Sequence, residues 1–130
     1  YQYTTLQNIN KAPSVNNSWK WAGGGFLSTT EDVAKFIYAH SKPGFLNNDT
    51  IKLLMTSQLT KDGEETNYGL GWRIRPGRDG DVLVGHTGGS VGGTTYAFWN
   101  KNTEIILVIA ANIGSAKFGD LPLDIFDLYR

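Results

Sequence analysis

YGLGWRIRPGRDGDVLVGHTGGSVGGTTYAFWNKNTEIILVIAAN, residues 68–112, decides the fold. Apolar and β-branched runs recur in it at short intervals, each ended by turn residues. YGLGWRIR precedes PGRDGD, VLVGH precedes a glycine stretch, and TTYAFWN precedes a turn at Asn100–Thr103 that leads into EIILVIAAN. Short runs with Gly, Asn and Asp punctuation signal hairpins, and hairpins join antiparallel neighbours. Four antiparallel strands in meander order are therefore expected. The last run, Ile105–Ala111, is apolar at every position, which predicts a central strand covered on both faces.

Helical patterns flank this segment. In STTEDVAKFIYAH, Ser28 and Glu31 have capping-box spacing, and Val33, Phe36, Ile37 and His40 recur at helical intervals until Pro43-Gly44. A shorter helix is predicted from an Asn48 cap, with Ile51, Leu54 and Met55 on one face. At the other end, GDLPLDIFDLYR offers Asp120 as a cap, Pro122 in the first turn and an apolar stripe of Leu121, Ile125 and Leu128. Residues 1–25 are rich in Asn, Ser and Gly and show no sustained period, so they read as an extended segment and loop in which Trp19 and Trp21 alternate with Lys20. The class is α+β in a single unit, with 1–67 forming a loop and helical part and 68–130 a sheet plus a C-terminal helix that packs on it. One terminal helix is too little cover for strands this apolar, which is a first sign of a missing partner segment.

Composition removes several function classes. The 130 residues carry 12 basic and 12 acidic groups, so there is no excess of positive charge for nucleic acid or an anionic membrane surface. No Cys is present, which excludes disulfides and thiolate chemistry. The run Ile105–Ala111 is far shorter than the roughly 20 residues that span a bilayer, and YQYTTLQNIN lacks the basic and apolar regions of a signal peptide. The chain opens on Tyr1 rather than Met, as expected of mature or truncated material.

Chemistry concentrates at GHTGGSVGGTT, residues 85–95, where a histidine and three threonines stand among five glycines. A His-Thr pair at a strand exit sets a titratable nitrogen beside a hydroxyl, and the glycines allow close backbone approach with N–H groups open to an anion. A surface His before a glycine turn is the bland alternative. No G-x-G-x-x-G and no G-x-x-x-x-G-K-[ST] occurs, which argues against a phosphate loop. With His40 and His86 as the sole imidazoles and no H-E-x-x-H, no metal site and no cofactor are expected. The acidic pairs Glu31/Asp32, Glu64/Glu65 and Asp79/Asp81 fall at a helix start and in turns, where capping and solvation explain them. AGGG (22–25) and YGLGW (68–72) read as structural, the latter placing Gly69 and Gly71 on a bare face against which something packs.

WAGGGFLSTTEDVAKF, YGLGW and GHTGGSVGGTT, in this order, resemble the C-terminal half of the serine β-lactamase-like and penicillin-binding-protein-like family. That family includes class C β-lactamases, D-aminopeptidases, esterases and the mitochondrial serine β-lactamase-like branch. The resemblance covers nearly the whole chain and implies part of a β-lactamase/transpeptidase-like fold. It further implies acyl-enzyme hydrolysis of a β-lactam, peptide or ester, with a periplasmic or secreted setting. The family combines S-x-x-K, a Tyr-x-Asn or Ser-x-Asn element, and Lys-Thr-Gly or its His variant. The third is here. No Ser has Lys three residues on, no Tyr has Asn two residues on, and Ser14-Val15-Asn16 matches Ser-x-Asn only formally, within a loop.

The resemblance gives His86 the place of the triad's Lys, steering substrate and assisting proton transfer. Thr87 is the donor to a substrate carboxylate or carbonyl, Gly88 permits close approach, and the Gly89 N–H is one of two oxyanion donors. His in place of Lys weakens carboxylate recognition at neutral pH and favours a peptide or ester over a penicillin. By this reading the isolated chain is inert and needs the N-terminal half of the same protein, or a homo-oligomer. The competing class is a non-catalytic ligand-binding module with the four Trp and six Tyr as stacking surfaces.

Overall fold

The computed structural model describes residues 2–5 and 8–130. In chain order it contains β1 (Gln2–Thr5), β2 (Asn8–Asn10), a 3-10 turn (Trp21–Gly23), α1 (Thr30–Ser41), α2 (Asn48–Leu54), β3 (Arg73–Pro76), β4 (Val82–Ser90), β5 (Gly93–Asn100), β6 (Ile106–Ala111) and α3 (Leu121–Leu128). The main sheet has the order β3-β4-β5-β6, antiparallel throughout, so the expected meander and α+β class are both present. β1 and β2 form a separate antiparallel pair where an extended segment and loop were expected; Tyr1, Leu6 and Gln7 of that stretch lie outside the described residues.

Turn chemistry sets the meander. Between β3 and β4, Asp79 (φ 52) and Gly80 (φ 82) take left-handed conformations, and the Gly77 N–H bonds the Asp81 carbonyl at 2.9 Å. Between β4 and β5 the turn needs only Val91 and Gly92, the latter at φ 77. Between β5 and β6, the buried Asn100 accepts the N–H groups of Asn102 and Thr103 on its side-chain oxygen and donates to Asp81 at 2.7 Å.

Strand alternation divides the core into two layers. Val84, Ala97 and Trp99 face α1 and pack with Ile37, Met55 and Trp72. Leu83, Tyr96 and Phe98 face the other way and pack with Phe126 of α3. The single terminal helix is thus not the whole cover, because α1 closes the second face.

Four local expectations are corrected. The cap of α1 is Thr29, whose hydroxyl accepts the Asp32 N–H at 3.1 Å, one residue beyond the predicted Ser28/Glu31 box. The cap of α2 is Asn47, not Asn48, and accepts the Thr50 N–H at 2.8 Å. In α3 the buried face is Pro122 and Phe126, while Leu121 and Leu128 are exposed. A bulky aromatic aimed into the Leu83–Phe98 layer outweighs the leucine stripe. Finally, β6 is an edge strand of the described sheet. Its uniform apolarity reports two covered faces, since Ile106 and Val108 pack on the α1 side and Leu107 and Ile109 on the α3 side.

YGLGW does not form the predicted strand. Gly71 (φ 85) turns the chain, and the Gly69 N–H bonds the Trp72 carbonyl at 2.7 Å. The bare-face reading holds for Gly69, where a Cβ would collide with the Leu54 carbonyl at the end of α2, but not for Gly71, which has open space around it.

Candidate functional site

The glycine stretch expected beyond a strand exit is mostly strand. β4 runs without a register break from Leu83↔Asn100 to Ser90↔Gly93, so His86, Thr87, Gly88 and Gly89 each have a partner on β5. On the other side the ladder with β3 stops at Arg73↔Gly85. Residues 86–90 therefore outrun their neighbour and leave an exposed edge.

Which backbone groups face that edge follows from antiparallel alternation. The Lys101 N–H bonds the Val82 carbonyl, so even-numbered residues of β4 address β5; the Gly77 N–H bonds the Asp81 carbonyl, so odd-numbered residues address β3. Thr87 and Gly89 thus aim their N–H and C=O groups past the end of β3, where no strand of the described residues lies opposite and the Thr87 carbonyl meets the His86 ring instead. At Gly89 nothing lies within 4 Å of where a Cβ would stand, so the sheet face is open there as well.

His86 is held at both ring nitrogens. Nδ1 lies 2.5 Å from the Thr87 carbonyl oxygen, which accepts only, so Nδ1 carries the hydrogen in the neutral ring. Nε2 is then the acceptor, and the Tyr68 hydroxyl donates to it at 2.7 Å, with the rings edge-to-face at 85°. His86 and Thr87 are not side by side, as the sequence suggested. Period-2 alternation sends His86 into a cleft with Phe36, Leu70 and Trp72 on the α1 face, and Thr87 into a polar pocket with Arg73 and Arg75 on the α3 face.

Several residues beside this edge were not singled out by the sequence. Tyr68 stands 18 positions from His86, and the strand predicted for YGLGWRIR gave no reason to single it out; the turn at Gly69–Gly71 brings it there. Trp19 and Gly24 line a cavity with Gly89 and Ser90, and Phe26 and Leu27 line another beside Gly88 and Gly89, so the AGGG segment borders the edge instead of merely leading into α1. Trp19 and Trp21 are mainly exposed and do not form a packed indole pair. Ser14-Val15-Asn16 lies in an irregular loop, with Asn16 accepting the Ser18 N–H at 2.9 Å. Among the described residues no three His, Asp or Glu converge in a metal-binding group.

A meander sheet sandwiched between α1 and α3, with an open His-Thr-Gly edge, fits a fragment of the β-lactamase fold. A family model described as Beta-lactamase matches residues 1–128, and the chain belongs to that serine hydrolase-like family. It is similar to the mitochondrial serine beta-lactamase-like protein LACTB of Homo sapiens, 31% identical over 121 residues that cover 73% of this chain and 22% of the relative. The Mus musculus and Bos taurus counterparts are each 30% identical over the same shares. The chain spans about a fifth of the length of the curated relatives it matches.

Proposed function

We propose that this chain supplies the His-Thr-Gly wall of an acyl-transfer site in a longer serine hydrolase acting on a peptide or ester. The observation that carries the reading is the strand edge at Thr87 and Gly89 that β3 leaves uncovered, beside a His86 ring fixed by Tyr68 and by the Thr87 carbonyl. A substrate laid along that edge places its scissile carbonyl at the Gly89 N–H, an oxyanion donor that needs no reorganisation during reaction. Gly88 admits the close approach, and Thr87 donates its hydroxyl to the substrate. His86 assists proton transfer around a seryl nucleophile that this chain does not carry in S-x-x-K form. Acylation of that serine releases the leaving group with a proton, and water then hydrolyses the acyl-enzyme.

The nucleophile comes from an N-terminal portion of the same protein. Exposed Phe26, Leu27, Phe36 and Phe45 and the outer edge of β6 support such an association. A ligand-binding module is the second reading, favoured by the cluster in which His40 lies 4.1 Å from Phe36, 5.2 Å from Phe45 and 5.8 Å from Trp72.

The test is labelling by a fluorophosphonate. The 130-residue chain is expected to give no specific adduct, and the full-length protein is expected to label at a serine outside it. A specific adduct on the isolated chain overturns the proposal; saturable ligand binding that ignores His86→Ala supports the binding module.

A further inference from the structure

Of the cavities that border the β4 edge, two lie on opposite faces beside His86 and Thr87, and their chemistry differs. On the α1 face a cleft of about 390 Å³, lined by Phe36, Leu70, Trp72 and His86 among others, is almost wholly apolar. On the α3 face a pocket of about 410 Å³ is lined by Asn67, Tyr68, Arg73, Arg75, Thr87 and Phe98, with no Asp or Glu in its wall. The ion pairs among the described residues engage Lys35, Lys42, Arg78 and Arg130, and none of them uses Arg73 or Arg75. Arg75 stacks with its guanidinium carbon 5.6 Å from the Phe98 ring centre, which limits its freedom before any ligand arrives. Two guanidinium groups without a carboxylate, beside unpaired backbone, are set for an anion that a ligand brings.

Register makes the geometry specific. Arg73 stands opposite Gly85 and Arg75 opposite Leu83, so both share a face with Thr87, two residues further along β4. A chain that continues the ladder where β3 stops puts one residue opposite Thr87, two strand positions or about 7 Å from Arg73, with its side chain on the arginine face. The adjacent residue turns its side chain to the apolar cleft. Strand addition draws affinity from main-chain bonds and specificity from pockets for alternate side chains.

We infer that the site selects an extended peptide, or peptide-like ester, with an acidic side chain opposite Thr87, read by Arg73 and Arg75, and an apolar side chain beside it. The inference rests on the acyl-transfer reading for its role in turnover, but recognition itself is measurable on the chain alone. The probes are N-acetylated, C-terminally amidated tetrapeptides with adjacent aspartate and leucine, or asparagine and leucine, so that the side chain is the sole carboxylate. Binding is followed by NMR of the arginine Nε–H and Gly89 N–H resonances.

The aspartyl peptide is expected to bind about tenfold tighter, since hydrogen bonds to a charged group are the strong ones. That preference is expected to vanish in Arg73→Gln/Arg75→Gln and to return in part in Arg73→Lys/Arg75→Lys, with circular dichroism melts reporting the fold. Equal affinities, no binding of either peptide, or a preference that survives the double glutamine variant overturns the inference. If the double variant does not fold, the single glutamine variants carry the same comparison. In the full-length protein, hydrolysis unaffected by His86→Ala sinks the acyl-transfer reading, whereas equal turnover of aspartyl and asparaginyl esters sinks the acidic specificity alone.

Discussion

The Tyr68 hydroxyl donates to His86 Nε2 at 2.7 Å while the Thr87 carbonyl holds Nδ1, so the imidazole tautomer is set from both sides. In the isolated chain, nitrogen chemical shifts of His86 should report the Nδ1–H form, and Tyr68→Phe should yield a mixture of tautomers. In the full-length protein, His86→Ala is expected to lower kcat/KM by about 10²-fold or more, the range for losing an acid-base group. Tyr68→Phe should cost only about three- to tenfold, the worth of one neutral hydrogen bond. Comparable losses in the two variants would mean that Tyr68 contacts the substrate directly.

Glycines of one strand are expected to part company on substitution. A Cβ at Gly85 would collide with the Ala97 carbonyl and the Phe98 side chain, whereas at Gly89 it meets nothing within 4 Å. Gly85→Ala should destabilise by about 2 kcal/mol or more, as overpacking does in a core that cannot relax. Gly89→Ala should melt close to the parent yet obstruct a chain docking on the edge. Thermal melts and peptide binding, read together, check both.

Tyr96 places its hydroxyl in the α3-side core without a hydrogen-bond partner, and burial raises the pKa of that phenol above its ordinary 10.0. A pKa raised by folding means that the folded state holds its proton more tightly. The associated stability is complete below about pH 10 and is lost as pH rises through the folded value. Tyr96→Phe removes an unsatisfied group, so at pH 7 it should be neutral or stabilising by up to about 1 kcal/mol. Above pH 10 the variant should unfold later than the parent. Denaturant titrations at several alkaline pH values measure this, and a clear loss of stability at pH 7 would contradict it.

Arg130 ties α3 to the β3–β4 turn. Its guanidinium bonds Asp81 at 2.6 Å, Asp127 at 3.2 Å and the Arg78 carbonyl at 3.0 Å, and also pairs with Asp79. Asp81 is buried and receives a second bond from Asn100. Arg130→Ala strands that carboxylate, so hydrogen exchange should quicken first in the 77–81 turn and the last turn of α3. Uniformly unchanged exchange would show that the network contributes nothing.

The sheet was legible because its turns are spelled in Gly, Asn and Asp, each matching a backbone conformation that the hairpins need. Position within the sheet was not. Apolarity records covered faces, and β6 is covered on both faces while its outer edge stays unpaired. The glycine stretch misled for a related reason: weak strand formers suggested a loop, but β5 supplies a partner for every residue from Gly85 to Ser90 and overrides the propensity. His86 and Thr87 were singled out as candidates from their own chemistry, and the roles of Gly88 and Gly89 came from the family resemblance. Tyr68, Arg73 and Arg75 were missed as site residues, because their relation to β4 depends on where a ladder ends, and residue type carries no such information.

The early stop of β3 has a consequence for solubility. An unpaired strand edge is a template for any passing chain, and long apolar edges invite sheet-to-sheet growth. Here the exposed steps are Thr-Gly-Gly-Ser, poor in β-branched side chains and free to lose order. An intruder gains few side-chain contacts from them and must restrain flexible backbone to bind. A partner that fills the pockets on both faces recovers what the bare edge withholds, so the same glycines proposed to admit a substrate also discourage indiscriminate pairing.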